Sequence, residues 1–161
     1  MFGLFGKSPI KRVDFTANSE VQNAPLNHQL QQFLDVQHLQ LSMGQDLLDL
    51  RDDGEKYRYL HFILGASDFL SHAIEDQTQA HAWFTSICIV QALEIFKKKD
   101  KAIDAVIGYG DEGSYERFNA GREGWIAMKE FYHFTQSAKT DEDVRQAKLS
   151  SMRLTSVVRK Y

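Results

Sequence analysis

A chain of 161 residues, 43% hydrophobic and 25% charged, has the material for one packed domain and is not the composition of a disordered segment. A net charge of −3 without a polybasic face disfavours nucleic acid as a partner, because phosphate contacts need clustered Lys and Arg. The single cysteine, Cys88, excludes an internal disulfide and a thiolate cluster for zinc, and no apolar run is long enough to predict a membrane span.

Residues 1–24 are expected to form an extended or poorly ordered arm, and 25–161 a helical domain. The arm opens with "MFGLFGKSPIKR", in which Phe2, Leu4 and Phe5 precede Lys7, Lys11 and Arg12. Aromatic residues followed by basic ones suit peripheral contact with a membrane surface, or an apolar groove on a partner. The stretch lacks the features of a secretory leader, so a cytoplasmic protein of bacterial type is expected. Both prolines, Pro9 and Pro25, precede the first strong helical pattern.

That pattern predicts a helix over 26–51, with Leu26, Leu30, Phe33, Leu34, Leu41 and Leu48 on one stripe, Pro25 in the first turn and Gly54 as the stop. A second helix is predicted over 55–75, with Tyr59, Phe62, Ile63, Ala66 and Leu70 on its apolar face. A third, over 79–99, is apolar almost all round, from Trp83 through Ile87, Ile89, Val90 and Leu93 to Phe96, and is predicted to be the buried centre. A short fourth helix starts at Asp100 and carries Ala102, Ile103, Val106 and Ile107. The next stretch, "GYGDEGSYERFNAGREG" at 108–124, holds five of the ten glycines and reads as a loop or a broken helix. A fifth helix is predicted over 125–137. The last follows "TDED", with Thr140 as N-cap and Asp143 a near miss for a capping box. The fold class expected is all-α: a single-domain bundle of five or six helices around a central buried helix at about 79–99.

Several residues invite a chemical reading. His61, Asp68 and His72 fall within roughly 40° of one another on a helical wheel, opposite the core stripe, and are expected to form a solvated line. Asp68 and His72, one turn apart, are weak candidates for metal ligands, and no metal or cofactor is expected. Asp35-x-x-His38 and Glu130-x-x-His133 have the spacing used in di-iron carboxylate bundles, but both pairs are predicted to face away from the core. The G-x-G-x-x-G at 108–113 lacks a βαβ frame, and Asp111 and Glu112 would repel a pyrophosphate. Glu94 shares a stripe with Trp83, Ile87 and Val90, where a carboxylate needs a partner. Cys88 sits in an apolar run that buries a thiol rather than activating it.

With no catalytic constellation in view, the function expected is that of a non-enzymatic protein–protein interaction module: a regulator, adaptor or immunity-type inhibitor. Its contact surface is expected at Tyr109, Tyr115, Phe118 and Arg122 of the glycine-rich segment, with Phe2 and Phe5 of the arm. The alternative is a small-molecule- or metal-dependent helical-bundle enzyme or ligand-binding protein, its pocket built from Glu94, Gln37 and Tyr132. An exposed apolar patch without a polar pocket favours the first; inward carboxylates or histidines in a cluster favour the second.

Overall fold

The computed structural model describes residues 10–17, 23–42, 46–109, 115–150 and 152–159, and of 115–118 and 150 the backbone alone. The chain is an all-α bundle. Its helices are α1 (Ala24–Leu41), α2 (Asp53–Ser71), α3 (Gln77–Phe96), α4 (Lys99–Ile107), α5 (Tyr115–Ser137), α6 (Asp141–Ser150) and the short α7 (Leu154–Val158). Two short strands, β1 (Ile10–Lys11) and β2 (Leu47–Leu48), pair antiparallel with Ile10 opposite Leu48.

Local chemistry sets the helix starts. The side chains of Asn23, Asp52 and Asp76 each accept the backbone N–H three residues on, at 3.2, 2.8 and 3.0 Å, as N-caps of α1, α2 and α3. At α6 the box forms in full with Asp in place of Glu. The Thr140 hydroxyl accepts from Asp143 N, while Asp143 Oδ2 accepts from Lys139 N and Thr140 N. Those bonds to the Asp143 carboxylate hold its pKa below the ordinary value, the Lys139 N–H contributing most.

The predicted first helix is too long. It ends at Leu41, where Ser42 caps it by sending both its N–H and its hydroxyl to His38 O, at 2.9 and 2.8 Å. Leu48 is buried as part of β2, not as the next step of a helical stripe. Residues 10–17 lie against α1. Phe15 is fully buried, its N–H donates to Gln31 Oε1 at 2.9 Å, and Arg12 Nη2 binds Asp35 Oδ1 at 2.6 Å.

The centre of the bundle is α2, not the predicted helix at 79–99. It packs chiefly on α5 and also meets α3, α7, α1 and α4. Tyr59, Leu60, Phe62, Ile63, Leu64, Ala66 and Leu70 all have no exposed surface. The α2–α5 approach is set by glycine. A Cβ built on Gly65 would stand 1.9 Å from Gly121 O, and one on Gly124 would stand 1.9 Å from Phe62 O. The backbones themselves are in contact, which hydrogen alone permits. Gly121 and Gly124, expected in a loop or a broken helix, therefore lie inside α5 as its contact face.

Helix α3 flanks this centre. Trp83, Ile87, Cys88, Ile95 and Phe96 turn inward, while Ile89 and Leu93 turn to solvent. The helix ends where Lys97 takes a left-handed conformation, φ 61°.

Candidate functional site

The polar residues singled out in the sequence are mostly structural. His61 is fully buried, not solvated. Its Nε2 donates to Ala105 O at 2.9 Å, which fixes the tautomer at that nitrogen because a carbonyl only accepts. Asp68 is half-buried and accepts the Tyr109 hydroxyl at 2.9 Å. His72 is exposed at the end of α2, where Nδ1 donates to Asp68 O at 2.8 Å and lies 4.0 Å from the Asp68 carboxylate. His61 is thus set in the core, while Asp68 and His72 stay together at the end of α2.

The two carboxylate-x-x-His pairs also part company. Asp35 meets Arg12 on the surface, but His38 points inward, contrary to expectation, and its Nε2 lies 2.7 Å from Tyr59 Oη. Burial pushes His38 down to about 3, with the nearby Arg12 guanidinium acting in the same direction. Tyr59, its partner, is pushed up by burial. Glu130 takes both oxygens to Arg153 Nη2 at 2.9 Å, Arg153 Nη1 binds Glu123 at 3.0 Å, and His133 is exposed. Among the described residues no three His, Cys, Asp or Glu side chains converge on a point where a metal ion would sit. The Cys88 thiol is pushed up to about 12, first by burial and then by the Asp68 charge.

Glu94, Gln37 and Tyr132 do not share a cavity. Glu94 pairs with Lys97 at the end of α3. Gln37 Oε1 accepts from Arg153 N and Leu154 N at 2.8 and 3.0 Å and so caps α7. Tyr132 packs edge-on against Phe69, ring centroids 5.8 Å apart.

Of the expected contact residues, Tyr109 is half-buried, its ring edge-on to His61 and tilted against Phe84. Burial raises its hydroxyl pKa, and the Asp68 charge adds to the shift. Arg122 is exposed on α5. Phe2, Phe5 and the side chains of Tyr115 and Phe118 lie outside the described residues.

The feature that the sequence reading missed is a groove between α3 and α4. Its walls are Thr85, Ile89, Ala92 and Leu93 of α3, and Lys99, Ala102, Ile103, Val106 and Ile107 of α4, enclosing about 560 Å³. Ile89, Leu93, Ile103 and Ile107 are 48, 39, 46 and 73% exposed. They are half of the eight large hydrophobics exposed among the described residues, and they line one groove rather than being scattered. The cause lies in α4. Its small residues, Ala102 and Ala105, face inward, leaving the two isoleucines outside. Thr85 and Lys99 border it, and the surface of the groove itself is almost wholly apolar.

No protein family, characterised protein or solved structure matches this chain. No helix among the described residues is long and apolar enough to cross a membrane.

Proposed function

We propose that the protein is a non-enzymatic interaction module that acts by binding another protein through the α3–α4 groove. The supporting observation is the continuous aliphatic surface of Ile89, Leu93, Ile103 and Ile107, exposed in a groove of about 560 Å³ whose only charged lining residue among those described is Lys99. Water against such a surface is released when a partner covers it, at about 25 cal/mol per Å² of apolar area. Monomeric proteins seldom leave so connected an apolar patch uncovered unless it is a contact site. The polar residues of the alternative reading are spread over separate structural contacts: Gln37 at α7, Glu94 at Lys97 and Tyr132 against Phe69. Regulator, adaptor and immunity-type inhibitor are the roles this reading covers. The cytoplasmic setting expected from the sequence belongs to it too, and the one buried thiol, Cys88, needs no oxidising compartment.

The test is quantitative capture from a lysate of the native host, with wild type beside a Leu93→Asp/Ile103→Asp variant. Proteins enriched by the wild type and lost with the variant, while the variant keeps its helical circular dichroism, are the expected result. Identical capture by both would remove the groove from the interface.

A further inference from the structure

We infer that the occupant of this groove is a partner helix of about two and a half turns, carrying an aliphatic ridge and a carboxylate at the end that lies by Lys99. The inference rests on the interaction reading above and specifies the partner's chemistry. Ile89 and Leu93 stand one turn apart on α3, and Ile103 and Ile107 one turn apart on α4. Between these two ridges the floor is small: Ala92 and Ala102 are buried there. Two ridges over a recessed floor are what a third helix fills, its side chains at i, i+3 or i+4, and i+7 entering the seam. A bilayer surface, by contrast, is met by protruding apolar side chains. Helix α4 has nine residues, about 14 Å at 1.5 Å per residue, so a partner segment of about nine residues matches the groove.

Charge gives the seat a direction. Lys99 is in the first turn of α4, beside the positive end of that helix dipole, and forms no ion pair with any described residue. Lys97, two residues earlier, is held by Glu94. Asp100 and Asp104 of α4 do not line the groove, and the opposite end is marked by the neutral Thr85. Among the described lining residues a carboxylate on the partner therefore finds its match at one end alone. The same asymmetry disfavours a second copy of this chain in parallel register, which would set Lys99 against Lys99.

The experiment is selection of a displayed library of helical peptides against the full-length protein, followed by affinities of the enriched peptides for wild type, Leu93→Asp and Lys99→Glu. Circular dichroism and urea midpoints check that both variants fold. The expected peptides carry aliphatic residues at helical spacing and Asp or Glu at one end. Leu93→Asp abolishes their binding. Lys99→Glu weakens it at least fivefold, and replacing the peptide's acid by Lys restores it on Lys99→Glu. Enriched peptides that depend on Leu93 but ignore Lys99→Glu would overturn the acidic-helix occupant and leave the interaction module standing. Failure to enrich any Leu93-dependent peptide would overturn both. The same holds for Leu93-dependent partition onto phosphatidylserine vesicles or Leu93-dependent self-association in sedimentation, when seen without peptide enrichment.

Discussion

His38 and Tyr59 meet at 2.7 Å in the core, and burial keeps the imidazole neutral until about pH 3. In the unfolded chain the same ring takes its proton near 6.5. The unfolded state therefore binds more protons below pH 6.5, so the stability is complete above that value and falls as the pH is lowered. The loss from this one group is about 2 kcal/mol by pH 5. Urea unfolding at pH 7 and pH 5 should show that loss in the wild type and a smaller one in His38→Gln, whose amide can still reach the Tyr59 hydroxyl. A further buried pair joins Trp83 Nε1 to Asn27 Oδ1 at 2.8 Å across 56 residues of sequence. Trp83→Ala removes both the indole packing and this bond, and should cost about 3–5 kcal/mol in urea unfolding. The burial of Trp83 and Ile87 was legible from their apolar surroundings. The fates of His38 and His61 were not, because a wheel that sorts polar from apolar assigns every histidine to water. What buries His61 is an acceptor 44 residues away, Ala105 O, and no spacing in the chain announces it.

Among the elements, the glycines of α5 show the same limit from another side. Five glycines in seventeen residues suggested a loop or a broken helix, since glycine weakens a helix by about 0.5–1 kcal/mol relative to alanine. Gly121 and Gly124 are instead in a helix because α2 lies against its backbone, and that contact outweighs the propensity. Gly124→Ala, a change that stabilises an isolated helix, should here lower the unfolding free energy by about 1–3 kcal/mol, because its Cβ would meet Phe62 O at 1.9 Å. A thermal melt with an unchanged or raised midpoint would show that the helices can move apart without cost. Helix α7 depends on its neighbours in a comparable way. Gln37 accepts two N–H groups at its start, and Arg58 donates to Val158 O at its end through Nε and Nη2, at 3.1 and 2.9 Å. Gln37→Leu leaves those N–H groups without their acceptor and should cost about 1–3 kcal/mol, with faster amide exchange at Arg153 and Leu154. The caps at Thr140 and Asp143 were readable locally, since a cap spans three residues. The stapling of α7 spans a hundred or more and was not.

In the whole molecule, the misplaced centre and the missed groove have one origin. Apolar pattern says which faces must be covered, not what covers them. Helix α3, apolar nearly all round, was the natural candidate for the centre, and α2, with His61, Ser67, Arg58 and Glu55 among its buried residues, was not. The polar groups of α2 are buried and bonded, whereas part of the apolar surface of α3 faces solvent beside Ile103 and Ile107. Large aliphatic residues that the fold itself does not need are the basis of the interaction reading. It follows that Leu93→Asp/Ile103→Asp should leave the protein folded, each single change costing less in urea unfolding than Trp83→Ala, because both side chains are already partly exposed. The most direct measurement is photo-crosslinking in host lysate, with a photoreactive residue placed at Ile107 in the groove or at Phe134, an exposed aromatic on α5. A discrete crosslinked partner from position 107 and none from position 134 is the result this account requires. A partner captured from 134 with none from 107 would contradict it and move the interface to the α5–α6 side.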